Sequence, residues 1–200
     1  MKTQLLMLYV LLYVLTAFGG RALLQWKRTG STGFRGLSGR PGSLAWLGGI
    51  ALSAGFIAVL AAPFVAHAGA LSFSEFALAA PVAWLCLAVG IVGTLWAQLA
   101  MGDSWRIGVD PRERTSLVQR GPFAFVRNPI FTSVIALALG MSLLLPGWLT
   151  VIGTLGVWAG LEIHVRTVEE PYLLRTHGDA YRRYASRVGR FVPALGRLAR

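Results

Sequence analysis

The sequence is poor in charged residues and has almost no cysteine. Charged side chains make up 14% of its 200 residues, whereas roughly 25% is usual for a soluble domain. The single cysteine, Cys86, excludes an intramolecular disulfide and a metal site built from several thiolates. The three histidines lack the spacing typical of metal ligands, so the sequence predicts no metal site. The shortage of charge argues against a soluble domain.

Long apolar runs lie between the few charges. Five runs approach the roughly 17 to 25 residues that a helix needs to cross a bilayer. The fourth run is short, and only Pro146-Gly147, a turn signal, separates it from the fifth. We therefore predict an all-α, polytopic membrane protein that forms one domain over residues 1–200 and contains a tight helical hairpin. The five runs are Leu5 to about Leu24, Leu44 to Ala66, Phe76 to Met101, Ile130 to Leu145, and Trp148 to about Val165.

The first apolar run has two interpretations. Lys2, an apolar core and Ala17-Phe18-Gly19 are compatible with a secretory signal that ends in a small-residue cleavage site. Apolar residues resume at Ala22-Leu23-Leu24, which favours a retained first helix. We expect the retained helix.

Basic residues collect in three stretches, residues 21–40, 103–127 and 166–200, whereas residues 67–75 and the Pro146-Gly147 turn hold no Lys or Arg. Positively charged loops stay in the cytoplasm. We therefore predict an outside amino terminus and a cytoplasmic carboxyl terminus, in the cell (inner) membrane of a bacterium. This bias and attraction to anionic membrane lipids explain the net charge of +11. No recognition motif accompanies it, so we predict no nucleic-acid partner.

The tripeptide Arg127-Asn128-Pro129 opens the fourth apolar run. Asparagine is a favoured residue at the N-cap of a helix, and proline suits the first helical turn. The positive end of the helix dipole and the Arg127 guanidinium would together favour a carboxylate or phosphate. The simpler interpretation is a capped helix with a positive-inside arginine.

A second polar cluster ends the fifth run. On a helix, Glu162, Arg166, Glu169 and Glu170 share one face because they are three, four, seven and eight residues apart. Glu162 lies inside the apolar run, where an acid is costly and usually paired. Arg166 can pair with Glu162 or with Glu170. The cluster is either an ion-pair ladder or, in addition, a site for a cationic group. With the Arg127 cluster, it would suit a zwitterion.

The two clusters belong to an ordered series of segments in the second half of the chain. The segments are Leu117-Val118-Gln119-Arg120-Gly121-Pro122-Phe123, Arg127-Asn128-Pro129-Ile130-Phe131, Glu169-Glu170-Pro171-Tyr172, His177-Gly178-Asp179-Ala180-Tyr181 and Val188-Gly189-Arg190-Phe191. The series resembles the isoprenylcysteine carboxyl methyltransferase and phospholipid methyltransferase superfamily, which consists of integral membrane enzymes that use S-adenosylmethionine. The resemblance covers residues from Met101 onward, about half the chain. It implies that residues 101–200 form a cofactor-binding catalytic half with two spans and a cytoplasmic tail, after three spans in residues 1–100.

The resemblance also implies roles for single residues. Val118, Gly121 and Phe123 match a loop that lines the adenosine pocket. Glu169 and Glu170 match a pair that contacts the amino group of the cofactor or lies close to the reacting centre. This agrees with the zwitterion argument, which rests on charge and helix ends alone.

The element that holds the methionine part of the cofactor corresponds to Arg127, Asn128, Pro129 and Phe131. Asn128 stands where the family more often has histidine, and Phe123 and Phe131 replace tyrosines. Asparagine can hydrogen-bond a carboxylate but cannot carry a proton. The departures therefore affect cofactor binding less than they affect acid–base roles.

The methyl acceptor has three interpretations at this stage. A carboxylate or thiol on an isoprenoid-linked compound that enters from the bilayer is the first, with Trp105 and Arg106 as substrate-binding residues and Arg106 as the positioning cation. A phospholipid amine is the second, and it would need a base, for which Glu170 is the candidate. The third is a membrane scaffold or lipid-binding protein that kept the fold without catalysis, which Asn128 favours. The simpler interpretation is that Trp105 is an aromatic residue of the membrane interface and that Arg106 is one of the positive charges retained in the cytoplasm.

Overall fold

The computed structural model describes residues 1–34, 36–70, 79–108 and 116–198. Within these ranges the chain is helical, and its extended pairing is limited to isolated bridges from Phe34 to Ile107 and from Val126 to Gly189. This confirms the all-α prediction for the described residues. The α-helices are α1 (Lys2–Tyr13), α2 (Arg21–Thr29), α3 (Leu44–His67), α4 (Ala80–Met101), α5 (Pro129–Leu144), α6 (Trp148–His164) and α7 (Glu170–Ala185).

Two π-helical segments join neighbouring helices into longer ones. Val14–Gly20 links α1 to α2, and Val165–Glu169 links α6 to α7. The first helix therefore continues to Thr29, beyond the predicted end at Leu24, and Gly30 terminates it in the left-handed conformation with φ of 73°. Lys27 and Arg28 in its last turn stabilise this end through the helix dipole.

Four helical stretches are long and apolar enough to cross a membrane: Lys2–Thr29, Leu44–His67, Ala80–Ser104 and Trp148–Ala185. The apolar helix α5 has 16 residues and is shorter than these. The start of the predicted third run, Phe76, lies outside the described residues, and α4 begins at Ala80.

Glycines let α3 and α6 approach at backbone distance. A Cβ atom at Gly160 would lie 2.5 Å from the Leu52 nitrogen and 2.7 Å from the Gly48 oxygen. A Cβ at Gly55 would lie 2.5 Å from the Gly153 oxygen, and one at Gly156 would lie 3.1 Å from the Ala51 oxygen. The Gly-x-x-x-Gly pattern from Gly156 to Gly160 thus permits the close packing of two apolar helices.

The first helix packs against α4 through polar contacts within the apolar region. The Tyr9 hydroxyl donates to the Leu87 carbonyl at 2.8 Å, and Tyr13 contacts Thr94 at 3.3 Å. The Gln98 side-chain amide donates to the Ala17 carbonyl at 2.8 Å. These bonds satisfy polar groups away from water and hold the first helix beside α4.

The carboxyl-terminal tail crosses the start of α5. The backbone nitrogens of Arg127 and Asn128 donate to the carbonyls of Gly189 and Arg190, at 2.8 and 3.1 Å. The Thr132 hydroxyl donates to the Phe191 carbonyl at 2.8 Å. The tail therefore places residues 188–196 beside the beginning of α5, which lies about 60 positions earlier in the chain.

Candidate functional site

A cavity of about 490 Å³ opens among the first helix, α3, α4, α5 and the connection from α6 to α7. Its volume falls in the range of roughly 300–1,000 Å³ typical of small-molecule sites. The cavity brings together most of the residues that the sequence analysis assigned to a site. Among its lining residues are Trp105, Arg106, Val118, Phe123, Arg127, Asn128, Pro129, Phe131 and Glu169.

Two assigned residues, Gly121 and Glu170, are not among the described residues that line this cavity. Gly121 lies in the loop before α5 with φ of 62°, a conformation that favours glycine and turns the chain into the short 3₁₀ helix Gly121–Ala124. Glu170 lies behind the cavity wall, where it binds two arginines.

Arg127, Glu170 and Arg190 form a buried ion network. The Glu170 carboxylate accepts from Arg127 Nη2 at 2.6 Å and from Arg190 Nε and Nη2 at 2.8 and 3.0 Å. The Arg127 side chain is 1% exposed and that of Glu170 is 8% exposed. Hydrogen bonding to Glu170 raises the pKa of the Arg190 guanidinium above its ordinary value. The network ties α5, α7 and the tail together.

This network changes the expected arrangement of the two clusters. From the sequence, the Arg127 guanidinium is expected to bind an anionic ligand and the Glu170 carboxylate a cationic one. In the structure, these two side chains bind each other. Both terminal nitrogens of Arg127 are occupied, since Nη1 also donates to the carbonyls of Ala185 and Val188 and Nη2 to that of Gly196. Arg127 Nε is buried and has no hydrogen-bond partner among the described residues.

The acidic face predicted on the helix divides in two. Arg166 pairs with Glu162, four residues earlier, which is one of the two expected pairings. Glu162 also lies 3.6 Å from Arg190 Nη1. Glu169 instead turns to the cavity, where its Oε1 lies 3.7 Å from His164 Nε2. Glu169, and not Glu170, is therefore the carboxylate that the cavity presents.

His164 completes this wall of the cavity. It is 9% exposed, and its ring packs against Phe131 with centroids 6.1 Å apart. The spacing of the histidines predicted no metal site, and no motif in the sequence assigned another role to His164. The signal that could have identified His164 was its position inside an apolar run, where polar side chains are costly and often functional.

Asn128 occupies the N-cap position of α5, but its side chain makes no capping bond. Its Nδ2 donates to the Arg190 carbonyl at 3.3 Å. The side-chain capping bond expected at Asn128 is therefore absent, and the side chain binds the tail instead. The bond to the tail holds the amide group at the cavity wall, between Arg127 and Pro129.

The loop that carries Val118 and Phe123 is held by a buried tyrosine. The Tyr184 hydroxyl donates to the Phe123 carbonyl at 2.6 Å, and the Tyr184 ring packs edge-on against Tyr181 at 6.1 Å. Both tyrosines also line the cavity. The helix α7 thus fixes a loop that lies about 60 residues earlier in the chain.

Trp105 and Arg106 lie at the edge of the cavity after α4. The Arg21 guanidinium stacks over the Trp105 ring at 4.7 Å, and the Arg106 guanidinium lies over the Tyr172 ring at 5.1 Å. Arg106 lines the cavity and brings a positively charged side chain to its wall. Cation–π contacts of this kind orient the guanidinium without neutralising it.

The cavity has two chemically different ends. We call the part lined by Arg106, Asn128, His164 and Glu169 the polar end. The part lined by the first helix and α3 is the apolar end, and its residues include Phe18, Leu52, Phe56 and Ile57. Phe56 lies twelve residues beyond the start of α3, about 18 Å along the helix at its usual rise of 1.5 Å per residue.

Within the described residues the fold is all-helical and has four helical stretches long and apolar enough to cross a membrane, which is typical of an integral membrane protein. A sequence model of the phospholipid methyltransferase family matches residues 78–180 of the chain. This match covers half of the chain, so the protein belongs to that family. It is an integral membrane protein.

The chain is also similar to a protein-S-isoprenylcysteine O-methyltransferase from Schizosaccharomyces pombe, with 27% identity over 113 residues. The aligned part covers 56% of this chain and 48% of the relative, so the chain matches about half of that protein's length. The range matched by the family model, residues 78–180, contains every residue named above at the polar end. The residues named at the apolar end all lie before position 78 and outside this range.

Proposed function

We propose that this protein is an S-adenosylmethionine-dependent membrane methyltransferase that acts on a lipophilic acceptor. The observation that carries the proposal is the single cavity with a polar end and an apolar end. The family match supports methyl transfer, and the polar end offers groups suited to a small zwitterion. The apolar end offers a hydrocarbon-lined wall for the rest of the acceptor.

The proposed topology has five spans, with α5 and α6 as a tight hairpin. Three residues connect these helices, and near the turn the Ser142 and Thr154 hydroxyls lie 2.8 Å apart. The charge distribution supports an outside amino terminus, a cytoplasmic carboxyl terminus and a location in the inner membrane of a bacterium. The polar end would then face the cytoplasm, where soluble cofactor is available.

The residues of the polar end fit S-adenosylmethionine, which supplies a methyl group on a positively charged sulfur. Glu169 would bind the amino group of the cofactor. Asn128 and Arg127 line the cavity and would bind its carboxylate. Arg127 would use Nε, which has no hydrogen-bond partner among the described residues. A carboxylate is the natural partner for a buried guanidinium nitrogen that lacks an acceptor.

The adenosine part would lie against Val118, Phe123 and Phe131. These residues line the cavity and present backbone groups and aromatic faces. Gly121 and Pro129 would act through the backbone, by turning the loop and by starting α5. Glu170 would support this site by holding Arg127, so its role in binding is indirect.

Two acceptor classes remain, and different residues favour each. A carboxylate or thiolate acceptor on an isoprenoid-linked compound would be positioned by Arg106 beside Trp105, and the Schizosaccharomyces pombe relative supports this class. A phospholipid amine would need a group to take its proton. The His164–Glu169 pair favours this second class, because both side chains line the cavity. Glu170 is a poorer base than the sequence analysis expected, since two arginines bind it.

The test is transfer of a labelled methyl group from S-adenosylmethionine into membrane lipid extracts by purified protein in nanodiscs. We expect label in a lipophilic product, which mass spectrometry would assign to an ester, thioether or methylamine. Binding of the cofactor without transfer into any extract would favour a non-catalytic lipid-binding protein.

A further inference from the structure

A cluster of buried polar side chains lies at the wall of the cavity, beside the aromatic rings of its apolar end. Tyr13, Thr94 and Gln98 all line the cavity, and they are 1%, 1% and 4% exposed. Thr94 lies seven residues before the end of α4, about 10 Å along the helix. Buried polar groups at such a depth in an apolar region are costly unless their hydrogen bonds are completed.

Gln98 leaves an acceptor at this wall. Its Nε2 donates to the Ala17 carbonyl at 2.8 Å, and its Oε1 is buried without a hydrogen-bond partner among the described residues. The orientation of the amide is determined by Ala17, because a carbonyl oxygen can only accept and Nε2 must therefore face it. The oxygen consequently remains for a donor.

Tyr13 and Thr94 add a donor beside this acceptor. Their hydroxyl oxygens are 3.3 Å apart, longer than the usual 2.7–2.8 Å for this type of bond. When one hydroxyl donates to the other, the second keeps its own proton for another acceptor. The cluster therefore offers one accepting and one donating atom, the pattern that complements a hydroxyl group.

The backbone beside the cluster is also irregular. Ala17, which binds Gln98, lies within the π-helical segment Val14–Gly20, and Tyr13 immediately precedes that segment. π-helical insertions in α-helices are frequent at functional sites. Here the insertion places Tyr13 and Phe18 on the same cavity, with their rings 6.1 Å apart.

We propose that Tyr13, Thr94 and Gln98 form a subsite for a hydroxyl or amide N–H on an otherwise apolar ligand. This inference rests on the proposed function in one respect, which is that the ligand is the methyl acceptor. It then defines the acceptor class further: a lipophilic molecule with a hydrogen-bond donor separate from the atom that receives the methyl group. The subsite would reject analogues that lack the donor, because Gln98 Oε1 would stay unpaired beside them.

The experiment compares two probes that differ in one hydrogen-bond donor. Dodecan-1-ol and its methyl ether would be added at equal mole fraction to nanodiscs that contain the full chain, without cofactor. Native mass spectrometry would measure the fraction of protein that carries one probe. We expect the alcohol to bind about tenfold more tightly than the ether, which corresponds to one buried hydrogen bond. Gln98→Met, of similar size, would remove most of this preference.

Ser53→Ala is the matched control, since Ser53 also lines the cavity but is exposed on α3. It should keep the preference for the alcohol. Thr94→Val is a second variant that leaves Gln98 in place and should reduce the preference several-fold, and size-exclusion profiles would show which variants fold. Equal binding of alcohol and ether to the unsubstituted protein, or an unchanged preference in both Gln98→Met and Thr94→Val, would overturn the subsite. Because no cofactor is present, these results are independent of methyl transfer.

Discussion

The polar and apolar ends of the cavity are held in place by different interactions. At the polar end, the tail, α5 and α7 are tied by charged hydrogen bonds around Glu170. At the apolar end, the first helix and α3 meet through rings such as Phe18 and Phe56, whose centroids are 6.0 Å apart. The α3 helix is in turn fixed on α6 by glycines.

The difference suits the two binding tasks that we propose for this cavity. Directional bonds around a buried charge fix positions closely, which suits recognition of a small charged molecule. Close packing of apolar helices fixes shape but sets few directional demands, which suits a hydrocarbon chain. Substitutions at the two ends should therefore have different consequences for stability and for cofactor binding.

The largest effect is expected in the buried ion network that supports the polar end. Glu170→Ala would leave Arg127 and Arg190 buried without their common carboxylate, at a cost of about 3–5 kcal/mol in the free energy of unfolding. Titration with SDS in mixed micelles would measure it. Asp179→Ala removes an acid that pairs with Arg182 where both side chains are exposed, so this control should cost about 0–1 kcal/mol. Equal losses in the two variants would show that the buried network is not the main support of this end.

A smaller effect is expected where α6 supports α3. In Gly160→Ala, the added methyl group would meet backbone atoms of Leu52 and Gly48, and the helices would have to separate. We expect a loss of about 3 kcal/mol, at the upper part of the usual range for overpacking. The control Gly19→Ala meets nothing nearer than the Val14 oxygen at 3.9 Å. If Gly160→Ala were as stable as Gly19→Ala in the same titration, the close approach of α3 and α6 would be incorrect.

The smallest effects on stability are expected for two tyrosine substitutions, one at the polar end and one in the first helix, which should differ in their effect on cofactor binding. Tyr184→Phe removes the bond to the Phe123 carbonyl at the polar end, and Tyr9→Phe removes the bond to the Leu87 carbonyl between the first helix and α4. Each should cost about 0.5–1.5 kcal/mol, the usual net contribution of one hydrogen bond. Calorimetry should show weaker S-adenosylmethionine binding for Tyr184→Phe alone. Weakened binding in both variants would mean that the two ends are not separable.

Much of this fold follows from local patterns in the sequence. The Pro146-Gly147 turn and the apolar runs indicate α3, α5 and α6 to within a few residues, because hydrophobicity and turn residues act locally. The π-helical segments carry no comparable signal, so the prediction ended the fifth run near Val165 although the helix continues into α7.

The candidate site was harder to predict because its decisive contacts are distant in sequence. Helical spacing correctly suggested that Arg166 could bind Glu162, four residues away. The same reasoning could not show that Glu170 meets Arg127, 43 residues earlier, because that contact depends on the path of the tail. Arg190 belongs to one of the segments that resemble the family, but the resemblance implies no role for it. In the structure, Arg190 is the second partner of Glu170. Gln98 and His164 belong to no motif in the sequence, so the sequence predicts no role in the site for either residue.

The most direct test of the proposed polar end is the affinity for S-adenosylmethionine of two glutamate variants. The side chains of Glu169 and Glu162 are both 24% exposed, but Glu169 lines the main cavity and Glu162 does not. Isothermal calorimetry in nanodiscs should show binding weakened by about tenfold or more in Glu169→Gln, the loss expected for a charged hydrogen bond. Glu162→Gln should bind within about twofold of the unsubstituted protein, since no bond to the cofactor is lost. Equal affinity in the two variants, or no binding by the unsubstituted protein, would contradict the account.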